Sequence, residues 1–252
     1  MKKALAFTLI FVFLFNFSAC KSSVNSKNPE TTETTNNVKP FLYVDLINDY
    51  KAILDFRLSD DFEEKYNNGT YLPDISDELK AAIASGNSEH WANMLAELPT
   101  GEEAFSIDYY GYILYDMNND GIDELFWVRK DYSIIAIFTI YNETLTLLDA
   151  FWSRHRATIN QQGVLITQGS GGAADSINTI SDLENGELKE MYALYSESSH
   201  NTATSDSVSF YEQTEKGKSE LTENEYREKL EKKFNFPVSD FWLSQDFKEI
   251  KN

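Results

Sequence analysis

The order of its hydrophobic patterns constrains the fold of this chain more than any other sequence feature. Apolar residues recur with helical spacing at positions 41–98, short β-branched and aromatic runs fill 106–211, and a helical segment returns at 222. Helices that precede a block of strands, instead of alternating with them, are typical of an α+β fold. We therefore predict N-terminal helices, a mostly antiparallel sheet and a C-terminal helix.

Three helices have specific local signals. Ser76 precedes two acidic residues and predicts the start of a helix that runs to about position 84. Thr222 and Glu225 have the spacing of a capping box at the start of the last helix. A third helix is predicted by apolar residues at helical spacing, Trp91, Met94, Leu95 and Leu98. This apolar face indicates core packing and not a cofactor site.

The middle of the chain predicts antiparallel strands separated by short turns. The predicted strands cover residues 106–115, 125–128, 133–140, 144–152, 164–168, 175–181, 188–195 and 208–211. Asn185 and Gly186 form the dipeptide that is typical of a two-residue hairpin turn.

The N-terminus has the pattern of an export signal. Lys2 and Lys3 precede an apolar stretch of about 15 residues that ends in small residues before Cys20, as in secretory signal peptides. A membrane-spanning helix needs about 20 apolar residues, so this stretch is short for one. Cys20 is the chain's single cysteine, which excludes an intrachain disulfide and a thiolate metal cluster.

The residues Phe17-Ser18-Ala19-Cys20 resemble the lipobox of bacterial lipoproteins, with phenylalanine where leucine is usual. The resemblance implies a signal peptide at 1–19, a diacylglyceryl group on Cys20 and a location on the outer face of the cell membrane. The alternative is an ordinary signal peptide with an incidental cysteine. Residues 20–40, rich in Ser, Thr and Asn, have the composition of a flexible tether.

The charge balance is strongly acidic. The chain carries 41 acidic and 22 basic residues, a net charge of −19, and loss of residues 1–19 with their two lysines leaves −21. Such a protein lacks the broad basic face that nucleic-acid binding requires, so we expect no nucleic-acid partner. Anionic lipid headgroups repel an acidic protein, so its charge does not attach it to the membrane. We therefore expect the lipid anchor to hold it there.

One acidic loop carries a metal-binding pattern. Oxygen donors recur at its positions 1, 3, 5, 7 and 9, and glycine at position 6 permits a sharp reversal. The candidate ligands are Asp116, Asn118, Asp120, the backbone carbonyl of Ile122, and Glu124. Three carboxylates and an amide suit Ca²⁺ better than Mg²⁺, which keeps more of its waters. We therefore predict a structural calcium ion; the alternative is a metal-free turn whose side chains bond their own backbone.

The loop departs from an EF-hand, because Trp127 stands where position 12 needs glutamate and the flanking segments are strand-like. It resembles instead the D-x-N-x-D-G-x-x-[DE]-L loops of FG-GAP and VCBS-type β-proteins, which implies calcium binding with an acid at position 9. Over residues 109–230 the succession of motifs also resembles an uncharacterised lipoprotein group of Gram-positive, Clostridia-like bacteria. That resemblance implies a surface location and the calcium-type loop, and it leaves the function open.

Two further patterns have both a functional and a structural interpretation. Arg154, His155 and Arg156 form the densest basic segment and can hold an anionic ligand, or can belong to a strand that pairs with acids. Ser170 lies among glycines, as some serine nucleophiles do, but glycines also permit a tight turn or bulge. The sequence assigns no catalytic residue.

Together these patterns predict a single extracytoplasmic α+β domain at 41–252, with a helical part at about 41–100, a β-rich part at about 104–213 and a helical part at about 221–250. We expect a lipid-anchored, calcium-stabilised binding or interaction module for an envelope ligand or protein. The alternative is a cell-envelope hydrolase whose active site has no recognisable motif.

Overall fold

The fold is taken from a computed structural model, which describes residues 41–98, 100, 107–171, 174–199, 207–234 and 238–250. The predicted signal peptide, Cys20 and the tether lie outside these residues. The described residues all belong to one compact unit, residues 36–252.

Six α-helices lie at the two ends of the described chain. They are α1 Phe41–Leu58, α2 Phe62–Asn67, α3 Asp77–Ser85, α4 Ser88–Glu97, α5 Glu223–Lys233 and α6 Asp240–Leu243. The Ser76 side chain accepts a hydrogen bond from the backbone N–H of Leu79 and so begins α3. Thr222 and Glu225 form both bonds of the predicted capping box at α5. These helix starts match the local signals in the sequence.

Eleven strands occupy the middle and the C-terminal end of the described chain. They are β1 Tyr110–Tyr115, β2 Glu124–Arg129, β3 Ile134–Tyr141, β4 Thr144–Ala150, β5 His155–Ile159, β6 Leu165–Ser170, β7 Ser176–Glu184, β8 Glu187–Ser199, β9 Ser207–Thr214, β10 Gly217–Leu221 and β11 Lys248–Glu249.

The described strands form two sheets, and every pairing between named strands is antiparallel. The first sheet has the order β11-β1-β2-β3-β4, and the second has the order β10-β9-β8-β7-β6-β5. With helices at both ends and antiparallel sheets between them, the predicted α+β class is confirmed. The division of the strands into two sheets was not predicted.

Strand β2 is buried on both faces and separates two hydrophobic clusters. Trp127 points into the first cluster, which contains residues of α1, α3 and α4. Its ring stacks on that of Tyr50 in α1, with centroids 4.2 Å apart. The neighbouring Phe126 points into the second cluster with Leu165 of β6 and Trp242 of α6. That second cluster therefore joins the two sheets, while the first joins the helices to the first sheet.

A third, smaller cluster lies under α5. It includes Tyr226 of that helix and Tyr192 and Leu194 of β8. The Tyr226 ring contacts Phe210 of β9, with centroids 4.9 Å apart. The C-terminal helix therefore covers the second sheet, and the predicted capping box fixes the start of a helix that is part of the core.

The sequence patterns missed three strands. β5 begins inside the basic segment, β10 is a polar run that pairs with β9, and β11 is two residues long. None of the three has the alternating apolar pattern of an independent strand, because cross-strand pairing stabilises them. Among the described residues, no helix has the length and the apolar character that crossing a membrane would require.

Candidate functional site

The acidic loop connects β1 to β2 at the centre of the first sheet. Asn119 and Gly121 both adopt positive φ angles, 58° and 86°, which reverse the chain within the loop. Glycine adopts this conformation without steric cost, and asparagine is among the few other residues that tolerate it. The chain therefore turns where the pattern predicted a sharp reversal.

The first three candidate ligands all bond the backbone of the loop. Asp116 accepts hydrogen bonds from the N–H groups of Asp120 and Gly121, at 3.1 and 2.9 Å. Asn118 Oδ1 accepts from the same Asp120 N–H at 3.1 Å. Asp120 Oδ1 accepts from Ile122 at 2.8 Å, and its other oxygen accepts from the Asn118 amide. These hydrogen bonds fix the three side chains against the backbone of the loop.

Glu124 lies at the base of the loop and is 0% exposed. One carboxylate oxygen accepts the backbone N–H of Met117 at 2.8 Å, and the other accepts the hydroxyl of Thr139 in β3 at 2.9 Å. Burial raises the pKa of Glu124 to about 7, and the nearby carboxylates of Asp120 and Asp116 add to the rise, against the lowering effect of its two hydrogen bonds. Among the described residues, no basic side chain contributes to the pKa of this buried acid, which lies beside two other acids.

The N-terminal helix contacts the same loop. The hydroxyl of Tyr43 in α1 donates to the backbone carbonyl of Asp123 at 2.5 Å. Burial, with the charges of Glu124, Asp123 and Asp120, raises the pKa of Tyr43 well above its ordinary value, so this group stays a neutral donor. The loop is thus attached to α1 on one side and, through Glu124, to β3 on the other.

The chemical types of these donors are those of a hard-cation site. Carboxylate oxygens accept more than one interaction, so oxygens that bond backbone amides can also bind a metal ion. The side chains of Asp116, Asn118, Asp120 and Glu124, with the carbonyl of Ile122, are of the type that Ca²⁺ prefers. The same hydrogen bonds would also fold a metal-free turn, so calcium at this loop stays a prediction.

The three basic residues do not share one environment. Arg154 is exposed in the turn before β5. His155 and Arg156 are adjacent in β5, so their side chains leave opposite faces of the strand. Arg156 donates to Gln168, whereas His155 contacts Asp149. The anion site stays a prediction, and His155 is engaged elsewhere.

Ser170 is separated from His155 by the register of the second sheet. The Cα partner of His155 is Gly169, and residues directly opposite each other point to the same face. Ser170, the next residue along β6, therefore points to the other face. The described pairing does not place the Ser170 hydroxyl beside His155, as a serine nucleophile and its base would require.

The structure brings together a group that the sequence patterns missed. Asp149, near the end of β4, accepts His90 Nδ1 at 2.6 Å and His155 Nε2 at 2.9 Å on its two oxygens. Burial alone would raise the pKa of Asp149, but hydrogen bonds and charge from His155 and His90 outweigh it, and the pKa is lowered. We call these three residues the His–Asp–His cluster. His90 and Asp149 are 59 residues apart, and no local motif connects them.

Comparison with known proteins gives no family for the chain. No protein-family model matches it, and neither does any curated protein. A solved structure, described as a Xanthomonas type IV secretion system related protein, is similar at 12% identity and a TM-score of 0.25. The match covers 44% of this chain and 58% of that one, which is less than two thirds of its length. A similarity of this size carries no argument about fold or function.

Proposed function

We propose that the protein is a lipid-anchored module of the bacterial cell envelope, whose extracytoplasmic α+β domain is stabilised by calcium and binds an envelope ligand or protein. Glu124 carries the calcium part of the proposal. A fully buried carboxylate at the base of a loop with two more acids is unfavourable without a cation, since burial penalises its charged form. A calcium ion at the loop supplies the missing positive charge.

The position of the loop explains how a bound ion would act on the whole domain. Through Glu124 and Thr139 the loop contacts β3, and through Tyr43 it contacts α1. An ion that fixes the loop therefore supports the packing of the helices on the first sheet. This is the role of a structural ion, and it requires no change of conformation.

An exposed aromatic pair supports a binding role for the domain. Tyr66, near the end of α2, and Tyr71 in the following loop are 47% and 62% exposed. Their rings meet edge to face, with centroids 5.1 Å apart. Aromatic side chains are enriched at protein interfaces, where they bury a large area at low entropic cost. This pair is our candidate contact surface for the unidentified envelope partner.

The anchor rests on the N-terminal sequence alone. The single cysteine follows the apolar run at the position that a lipobox requires. Two acyl chains give stable attachment, whereas one is marginal. Cys20→Ser should abolish lipidation and either release the protein from the membrane fraction or stop its processing. Normal maturation of Cys20→Ser with unchanged membrane partition would contradict the anchor.

The melting temperature, measured with and without calcium, tests the proposed stabilisation of the domain by calcium. Calcium should raise the melting temperature of the wild-type protein, by a stabilisation of about 2.7 kcal/mol when its concentration is 100 times the Kd. Mg²⁺ at equal concentration should stabilise less, because it gives up its waters reluctantly. Asp120→Ala should remove most of the calcium effect while the calcium-free protein still folds, since the flanking strands keep their core.

Asp131→Ala is the matched control for that variant. Asp131 accepts the N–H of Ser133, two residues further on, as Asp120 accepts that of Ile122. The control therefore removes a similar turn bond outside the acidic loop and should keep the full calcium effect. Melting that does not depend on calcium in the wild-type protein would show that the loop is a metal-free turn.

A further inference from the structure

The His–Asp–His cluster is built from three separate parts of the fold. His90 lies in the first turn of α4, Asp149 in β4 of the first sheet and His155 at the start of β5 in the second sheet. We propose that this cluster is a second metal site, which binds a divalent transition metal of the Zn²⁺ type through His90 Nδ1, the Asp149 carboxylate and His155 Nε2. The site is independent of the calcium loop.

The distances fit a metal after a small adjustment. The nearest nitrogen–oxygen separations are 2.6 and 2.9 Å, and the ligand atoms of all three residues lie within 4.8 Å of one another. Zn²⁺ bonds to nitrogen and oxygen are about 2.0–2.2 Å, so two ligands on one ion lie roughly 3.0–3.5 Å apart. The two nitrogen–oxygen pairs therefore need to separate by a few tenths of an ångström, and the widest pair of ligand atoms, up to 4.8 Å apart, needs to close by about 1 Å.

The backbone around the cluster holds the side chains in place. A β-bulge lies between β3 and β4, where Asp149 pairs with Ile137 while Leu147 pairs with Phe138, so that Leu148 is the extra residue. Bulges of this kind redirect a side chain next to functional sites. Asp149 Oδ1 also accepts the N–H of Ala150 at 2.8 Å, which fixes the carboxylate.

The two histidine rings are also held by their neighbours. Trp152 contacts both rings, with centroids 4.9 Å from that of His90 and 5.0 Å from that of His155. Phe151 stacks on His155 at 5.0 Å. Gly169 also lies close to the His155 ring, since a Cβ added to this glycine would lie 3.4 Å from His155 Nδ1. Packing thus restricts the rings to orientations that present their nitrogens to Asp149.

The chemistry of the cluster selects a transition metal and not calcium. Imidazole nitrogen suits Zn²⁺, Cu²⁺ and Ni²⁺, whereas Ca²⁺ takes oxygen ligands. When the metal binds, each neutral ring carries its proton on its other nitrogen, and the ionised Asp149 contributes the negative charge. Three protein ligands leave at least one coordination position for water or an external ligand. The side chain of His90, 28% exposed, leaves the cluster open to solvent on that side.

Isothermal titration of ZnCl₂ into the chelator-free protein tests the proposal. Excess calcium is present throughout, so that any ion in the acidic loop is already in place. We expect one Zn²⁺ per chain, and a loss of affinity of about 100-fold in His155→Gln and in Asp149→Asn, because removal of an outer partner alone costs about 10–100-fold. No binding by the wild-type protein, or an affinity in both variants equal to that of the wild-type protein, would overturn the site.

Two matched controls isolate the cluster. Asp182 accepts the N–H of Leu183, as Asp149 accepts that of Ala150, so Asp182→Asn removes the same local bond away from the histidines. His200→Gln removes the third histidine of the chain. Both should keep wild-type Zn²⁺ affinity, and a loss in either would contradict the assignment of ligands.

A second readout keeps the test decisive if a variant does not fold. Co²⁺ bound by nitrogen and carboxylate ligands in a low-symmetry site has visible d–d absorption that the hydrated ion largely lacks. Wild-type protein should develop this absorption with one equivalent of Co²⁺ and lose it when Zn²⁺ is added. Absence of the band in folded wild-type protein would overturn the proposal whatever the variants do.

Discussion

The carboxylate of Glu124 accepts a hydrogen bond from the backbone N–H of Met117, with 2.8 Å between oxygen and nitrogen. Met117 is the second residue of the acidic loop and Glu124 the ninth, so this bond joins the entry of the loop to its exit. The other oxygen of Glu124 bonds Thr139 in the neighbouring strand. pH and calcium should therefore affect the fold through the same side chain.

In the calcium-free protein, Glu124 should make stability fall as pH rises. Its pKa is about 7 in the folded state against an ordinary value of 4.5. The folded state thus holds the proton more tightly, and the stabilisation is present below pH 4.5 and lost as pH rises to about 7. The loss is roughly 3 kcal/mol, at 1.36 kcal/mol per pKa unit. Urea unfolding at a series of pH values measures it.

Glu124→Gln is the comparison for this pH dependence. Glutamine is close in shape and does not titrate. The decrease in the free energy of unfolding between pH 4.5 and 7 should therefore be smaller in the variant by the roughly 3 kcal/mol assigned to Glu124. The same variant should also lose calcium stabilisation, because it removes a carboxylate ligand. An unchanged pH profile in the variant would show that Glu124 does not cause the fall.

The hairpin turn between β7 and β8 should be sensitive to a single methyl group. Gly186 has φ +78°, and a Cβ added there would lie 2.5 Å from the Cβ of Tyr141 in the first sheet. Gly186→Ala should therefore destabilise the protein by about 2 kcal/mol through backbone strain, with a further loss from the clash.

Gly69→Ala separates the two contributions. Gly69 has a similar φ of +86°, but a Cβ there would have nothing within 4 Å. We expect this control to show only the cost of backbone strain. If the two variants unfold at the same urea concentration, the close approach of Tyr141 to the turn has no energetic effect.

The capping box should contribute measurably to the second sheet. Thr222→Ala removes the side chain that accepts the Glu225 N–H, and such N-cap substitutions cost about 1 kcal/mol. Because α5 carries Tyr226 into the third cluster, the loss should appear in global unfolding by urea. Ser219→Ala, on the exposed strand β10, is the control and should have a smaller effect. Equal losses in both would contradict a specific capping role.

Local signals predicted much of the fold, because they act within a few residues. The Ser76 cap, the capping box and the Asn185-Gly186 turn each mark a boundary through hydrogen bonds or φ angles of residues close together in the sequence. The order of helices and strands was enough to predict the α+β class. The division into two sheets depends on pairings between distant segments, which a local pattern does not encode.

The two candidate metal sites also differ in whether their residues are close together in the sequence. The acidic loop was predicted because its donors are contiguous and their spacing is that of a calcium loop. The His–Asp–His cluster was missed because α4, β4 and β5 meet only in the folded chain. His155 was noticed as part of a basic segment, and its partner Asp149 had no motif around it. The packing of α4 on β4, the β-bulge and the turn into β5 bring these residues together.

Direct calorimetric titration of Ca²⁺ into the mature protein tests the central claim most directly. We predict one calcium ion per chain, oxygens of Asp116, Asn118, Asp120 and Glu124 about 2.3–2.6 Å from the ion, and loss of binding in Asp120→Ala but not in Asp131→Ala. No heat of binding at millimolar calcium, together with calcium-independent melting, would contradict the claim and leave the loop as a turn.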